Sequence, residues 1–283
     1  MAAPDAEPPV RRVPVPVDTR APGGTTNAYV AGGLLVDPAA RSDALDAAVG
    51  VGDSGEDGVA VDAIAVTHTH PDHVGAVAAY AGLAGVPVFA HADHVDRFVA
   101  ATGVEPDGTF EDGERVGATD VRAVDTPGHA SDHVAFAVEE ARENGGDEEP
   151  SRALLCGDLA VADGSVVVGA PDGDLREYLD SLRRVREAEY DRLYPGHGPV
   201  IDDPEARAAA YWAGYGVAQS AVRALAAMLA AECRAHGPSV TTVDPGKFYS
   251  ALRSRVWPAE NPGELPTAEA AAETVLAELD RRH

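Results

Sequence analysis

This chain of 283 residues is poor in the groups that cross-link, bind polyanions or cross membranes. Its two cysteines, Cys156 and Cys233, are too few for a disulfide framework. That excludes the small stapled secreted folds and fits a reducing compartment, with each thiol read as a small buried hydrophobe. Positive charge is scarce: 22 Lys and Arg face 47 Asp and Glu, for a net charge of −25, and Lys247 is the single lysine. Such a surface repels itself and carries no obvious nucleic-acid footprint. In about 1 M salt the Debye length shrinks to about 3 Å and both effects weaken, so the composition suits a cytoplasm with molar salt. No apolar run reaches the length of a membrane span. The opening Met1–Pro9 stretch has neither the basic nor the apolar region of a signal peptide, so a cytoplasmic location away from any membrane is expected.

Hydrophobic residues make up 45% of the chain, enough for one large α/β domain with a small appendage. Residues 1–12, rich in Pro, Ala and acid, read as a loose arm. Strand-like segments follow at 13–17, 25–30 and 34–37, then a short helix at 42–49 and an acidic loop at 50–58. Further strands are expected at 61–66, 86–90, 121–125, 134–138, 153–157 and 190–194. An acidic hairpin tip spans 139–151. Residues 174–189 carry Leu175, Tyr178, Leu179, Leu182 and Val185 at helical spacing. From 204 to 283 the chain reads as helices, with aromatic residues such as Tyr211, Trp212 and Trp257. These supply the core of a small domain, the mouth of a site or a homodimer face.

The chemistry concentrates where the strand 61–66 runs into Thr67-His68-Thr69-His70-Pro71-Asp72-His73. Three imidazoles and a carboxylate share one strand-to-helix turn, and both groups are common ligands of zinc and similar divalent ions. Pro71 stiffens the turn and so limits the directions of its donors. Three later apolar segments also end in a turn carrying His or Asp: His129 in Thr126-Pro127-Gly128-His129, Asp158 in Gly157-Asp158, and His197 in Pro195-Gly196-His197-Gly198. A metal site assembled from several strand ends produces this recurrence. Asp37 reads either as a partner of a metal-binding histidine or as a strand-end turn residue. His91 and His94 read as a solvated loop or the edge of a substrate site.

HxHxDH, then TPGH, then GD, then PGHG, in that order, resembles the metallo-β-lactamase superfamily over residues 13–203. The resemblance implies a four-layer αβ/βα sandwich with a small helical C-terminal domain at 204–283. It implies two divalent metal ions, zinc rather than iron, because His70 stands where redox relatives carry glutamate. His68, His70 and His129 would hold the first ion, and Asp72, His73 and His197 the second, with Asp158 bridging. Two such ions lower the pKa of a bound water from about 15.7 towards about 7 and so generate a hydroxide nucleophile. Asp72 would also orient the nucleophile or shuttle a proton. His133 would lie beside the substrate or hydrogen-bond behind a ligand. The segments Gly24–Tyr29, Val168–Leu182 and Leu193–Ile201 are similar to the β-lactamase-like endoribonuclease branch, which makes single-stranded RNA the first substrate expected. A small acyl substrate, as in the glyoxalase II relatives that hydrolyse thioesters, is the alternative, followed by esters and lactones. A non-catalytic protein using metals only to fold is the reading from a different class.

The charge balance generates a test. The thermal midpoint should rise steeply as KCl is raised from about 0.1 M to about 2 M, where the Debye length falls from about 10 Å to under about 3 Å. A midpoint insensitive to salt would remove the case for a high-salt cytoplasm.

Overall fold

The computed structural model describes residues 10–19, 21–51, 58–140, 151–164, 166–169, 171–205 and 207. The acidic hairpin tip, most of the acidic loop and the helices and aromatics expected beyond 207 lie outside them.

Strands β1 (Val10–Pro16), β2 (Thr25–Ala31), β3 (Leu34–Val36) and β4 (Ala63–Ala65) form one sheet in that order. The first three run antiparallel, and β4 joins β3 in parallel. A parallel bridge from Ile64 to Val88 continues the sheet towards the pair β5 (Phe89–His91) and β6 (Gly108–Phe110). The second sheet has the order β10 (Arg192–Pro195), β9 (Ser151–Gly157), β8 (Val134–Glu140), β7 (Arg122–Asp125), with β10 and β9 parallel.

Alternation along the strands separates two cores. Tyr29, Ala31, Leu34 and Val36 face inward with Phe136, Ala153 and Leu155 of the second sheet. Their neighbours Ala28, Val30, Leu35 and Ile64 face outward against Leu45, Val77, Tyr80 and Phe98. These last belong to helices α1 (Asp43–Ala48), α3 (Val77–Ala84) and α4 (Val95–Thr102). Each fully buried Leu, Ile or Phe contributes on the order of 1.5–3 kcal/mol relative to exposure.

The outer helix of the second sheet is α5 (Leu175–Glu187). Asp174 caps it by accepting from the backbone N–H groups of Arg176 (2.7 Å) and Glu177 (3.1 Å), and Arg184 and Arg186 oppose the dipole at its end. Its apolar stripe of Tyr178, Leu179, Leu182 and Val185 is buried, and the Tyr178 hydroxyl donates to the Leu159 carbonyl at 2.8 Å. Ser181 donates to the Pro127 carbonyl at 2.7 Å. Helix α5 approaches the 127–129 turn so closely that a Cβ on Gly128, at φ +127, would lie 2.1 Å from the Tyr178 nitrogen. Only glycine fits there, and the next residue is His129. The layers run helix, sheet, sheet, helix, which is the sandwich expected.

The structure differs from the sequence reading in detail. Strand β1 begins at Val10, inside the segment read as a loose arm, because residues 10–12 pair with Ala31, Val30 and Tyr29. Pro14 and Pro16 do not break it, since β1 is an edge strand among the described residues. The helix expected after His73 is two pieces, α2 (Pro71–Val74) and α3, with Gly75 and Ala76 between them. Helix α4 and strand β6 had no counterpart in the reading.

Candidate metal centre

The parallel pairs β3/β4 and β9/β10 deliver their C-terminal ends to one edge of the sandwich. The turn after β4 places His70 at the N-cap of α2 and Pro71 at its first position, where a missing N–H costs nothing. Asp72 and His73 then occupy the first helical turn, both buried. His129 comes from the β7–β8 turn, Asp158 follows β9 and His197 follows β10.

All seven expected ligands converge. His68 Nε2 lies 3.0 Å from His70 Nδ1, and His129 Nε2 lies 3.1 Å from the same atom. His197 Nε2 lies 3.4 Å from Asp72 Oδ2, with His73 Nε2 4.0 Å from that oxygen. The trios His68/His70/His129 and Asp72/His73/His197 each bring three donor atoms within 4.8 Å of one another. Asp158 joins them. Its Oδ2 is 3.5 Å from His129 Nε2, while Oδ1 is 3.6 Å from His73 Nε2 and 3.4 Å from His197 Nε2.

These donors fit two divalent ions. His73 Nε2, His197 Nε2 and Asp158 Oδ1 are buried and make no hydrogen bond, a costly arrangement unless a cation satisfies them. A three-nitrogen set beside a nitrogen–carboxylate set suits borderline metals such as zinc.

Each ring is fixed from behind, and the acceptors assign the tautomers. His129 Nδ1–H donates to the Val167 carbonyl (2.8 Å) and His197 Nδ1–H to the Thr25 carbonyl (2.9 Å), which turns both Nε2 lone pairs inward. His73 Nδ1–H donates to Asp37 Oδ2 at 2.9 Å. Asp37 also accepts from Thr67 N (2.7 Å) and Thr67 Oγ1 (2.8 Å), so of its two readings the structure shows the histidine partner. His70 is reversed: its Nε2–H donates to Asp172 Oδ2 at 3.1 Å, leaving Nδ1 for the centre.

Asp172, Arg97, Asp132 and Asn27 were not expected. The Arg97 guanidinium donates through both terminal nitrogens to Asp172, each at 2.6 Å, and holds that carboxyl well below the usual range. Arg97 Nε donates to Thr69 Oγ1 (2.7 Å), and Asp132 accepts from Thr69 N (3.0 Å) and Oγ1 (2.6 Å). Asn27 donates to the carbonyls of Pro195 and Gly198, both at 2.9 Å, and Tyr29 to that of Pro195 at 2.6 Å, which clamps the turn carrying His197. Within that turn a Cβ on Gly196 would lie 2.7 Å from Asp158 Oδ1. Asp132 lies three residues after His129, Asn27 and Asp172 lie in the segments Gly24–Tyr29 and Val168–Leu182 that carried the resemblance without a role of their own, and Arg97 lies on α4, which the sequence reading left unassigned.

Of the two readings of His133, the structure shows the hydrogen bond behind a ligand rather than a place beside the substrate: the side chain is 1% exposed and has both nitrogens engaged. Its Nδ1–H donates to Thr126 Oγ1 at 2.8 Å, and Nε2 accepts from the Asp158 backbone N–H at 3.1 Å. Burial, with help from His129, pushes its pKa down to about 3, so it stays neutral and orients Asp158. His91 donates to Asp125 at 3.1 Å, and neither it nor His94 is among the described residues lining the cleft.

Electrostatics divide the two trios. Burial keeps His68 and His129 below the ordinary histidine range. Burial opposes charge on His197 too, but the carboxylates of Asp158 and Asp72, each 3.4 Å from its Nε2, outweigh it and lift the pKa to about 10. On His73 burial is outweighed by Asp37, and the value again rises. Burial of Asp158 and Asp72 is likewise overcome by His197 and His73, and both carboxyls drop. A proton therefore competes with a cation for the second trio. The centre opens into a cleft of about 500 Å³, rimmed by Pro22, Val161, Val166, Val167 and Pro199.

Comparison with known proteins agrees with this geometry. A family model described as the metallo-beta-lactamase superfamily matches residues 21–197. The beta-lactamase-like protein 2 homolog of Caenorhabditis elegans is 32% identical over 149 residues, 50% of this chain and 44% of that protein. The hydroxyacylglutathione hydrolase of Francisella tularensis subsp. novicida is 32% identical over 141 residues, 48% of this chain and 49% of that one. An atrochrysone carboxyl ACP thioesterase of Aspergillus fumigatus is 31% identical over 191 residues, 63% and 52% of the two chains. The chain spans about half the length of the curated relatives it matches. Among solved structures, a metallo-beta-lactamase family protein from Thermus thermophilus shares the fold with a TM-score of 0.55 at 24% identity, covering 94% of this chain and 91% of that chain.

The raised value of His197 sets a pH dependence. In metal-free protein its extra protonation stabilises the fold fully below 6.5, the ordinary histidine value, and is lost as pH rises towards about 10. The thermal midpoint of metal-free protein in high salt should fall between about pH 6.5 and about pH 10, and His197→Gln should flatten that limb. An unchanged limb in the variant would show that His197 does not hold the proton.

Proposed function

Because this chain belongs to the metallo-beta-lactamase superfamily, we propose that it is a binuclear zinc hydrolase whose substrate is an acyl thioester. The observation that carries the reading is Asp158, with one oxygen directed at each trio of donors at the floor of an open cleft. Two ions held there would supply Lewis acidity at the scissile carbonyl and an acidified water.

The chain's own residues do the rest. Asp158 and the five histidines fix where charge is neutralised, and the hydrogen bonds behind the rings keep those donors from turning away. Asp72 is ionised at neutral pH and lines the cleft. Its carboxylate takes the proton as water adds to the carbonyl carbon, then returns it to sulfur as the C–S bond breaks. The products are a carboxylic acid and a thiol.

The thioester is favoured over RNA by what surrounds the donors. Among the described residues lining the cleft there is no Arg or Lys to neutralise phosphates, and Asp163 adds a carboxylate. Two relatives are named for acyl-thiol substrates, a hydroxyacylglutathione hydrolase and an ACP thioesterase. Single-stranded RNA rests on the sequence similarity to the endoribonuclease branch alone.

The test is release of free thiol from an acyl thioester by zinc-loaded protein in molar KCl. Asp72→Ala should lower kcat/KM by about 10²–10⁴, the usual contribution of a positioned proton carrier. Thioester left intact while a labelled single-stranded RNA is cut would replace the thioester with RNA. Undiminished turnover by a zinc-loaded Asp72→Ala protein would remove Asp72 from the reaction.

A further inference from the structure

We infer that the rim of the cleft is a subsite for an apolar, uncharged acyl chain, with Val167 as its specificity-determining residue. This inference rests on the hydrolytic reading above and names the acyl half of its substrate. Val167 is the most exposed large hydrophobic side chain among the described residues, at 78%. It stands at the lip of the cleft beside Val166 and Val161, with Pro22 and Pro199 among the other rim residues.

The Val167 backbone is anchored. Its carbonyl accepts the Nδ1–H of His129, so the residue that presents an apolar face to the cleft also orients a metal-ligand ring. Arg207 steadies the start of the same segment by donating from Nε to the Val161 carbonyl at 2.6 Å and from Nη2 to the Gly164 carbonyl. On its far side the Gly173 N–H donates to the Gly169 carbonyl at 2.8 Å. An anchored valine left in water is unfavourable until a ligand covers it.

The charges say which ligand. Away from the donors, Asp163 is the one acidic or basic side chain among the described residues lining the cleft. A chain ending in a carboxylate or phosphate would meet that carboxylate with no Arg or Lys among the described lining residues, whereas a hydrocarbon chain would cover the valines without that repulsion. The cleft volume of about 500 Å³ lies in the range that encloses a small molecule. Burial of each additional methylene should raise kcat/KM about three- to fourfold until the cleft is filled, the fold-change equivalent to about 0.8 kcal/mol.

The experiment uses full-length, zinc-loaded protein in molar KCl and thioesters of N-acetylcysteamine carrying acetyl, butyryl, hexanoyl and octanoyl groups. A succinyl thioester is the anionic control. Binding of the matching non-hydrolysable octyl and ethyl thioethers is measured by calorimetry alongside. The inference expects kcat/KM to climb with chain length, the succinyl ester to fall below the butyryl, and the octanoyl-to-acetyl ratio to drop at least tenfold in Val167→Ser. It also expects the octyl thioether to bind more tightly than the ethyl, with that preference reduced in the same variant. Val167 is exposed, so this substitution leaves the core intact. Thioesters turned over with no chain-length preference, or with a preference that Val167→Ser leaves unchanged, would overturn the subsite while the hydrolase reading stands. A thioether preference that depends on Val167, with no thioester hydrolysed, would keep the subsite and remove the reaction.

Discussion

Seven donor residues with unshared electron pairs are held within a few ångströms of one another at one edge of this sandwich. Left to themselves, imidazole nitrogens about 3 Å apart would turn away or pick up protons. The structure prevents rotation by giving the far side of four of the five rings something to hold: Asp37 for His73, Thr25 for His197, Val167 for His129 and Asp172 for His70. Carboxylates supply two of those supports and backbone carbonyls the other two. The supports are fixed in turn, Asp172 by Arg97 and Asp37 by both polar groups of Thr67.

The fold meets that demand by ending strands at a common edge and letting them approach closely there. Parallel pairing of β4 with β3 and of β10 with β9 sets the heights of the HxHxDH turn, Asp158 and His197. Glycine lets the backbones meet: a side chain on Gly128 would strike α5, and one on Gly196 would strike Asp158. The inter-sheet core of Tyr29, Leu34, Phe136 and Leu155 supplies the rigidity, and Tyr29 also reaches the turn before His197.

The seven candidate ligands were legible in the sequence because metal binding needs particular side chains at strand ends and each stood beside a turn signal, and the structure brings them together. The sandwich was legible through the family resemblance and through apolar runs of strand length. The supporting shell was not. Asp172 sits in an ordinary Pro-Asp-Gly turn, and Arg97 lies on a helix 75 residues away, so their pairing exists only in three dimensions. His133 was open to two readings. A histidine four residues after a candidate ligand suggests chemistry, yet it is buried and aligns the backbone of Asp158. Burial, which decides between the two roles, is not written in local spacing. The strand at Val10 was hidden for a related reason, since a proline-rich edge strand looks like an arm until its partner is seen.

The central claim is that the two trios, joined by Asp158, each hold a cation. Metal content per folded chain tests it most directly, by elemental analysis of protein loaded with zinc and freed of excess. The account predicts two ions per chain in the wild type and one in His197→Ala, which removes a donor from a single trio. One ion or none in folded wild-type protein, or two ions still held after His197→Ala, would contradict it.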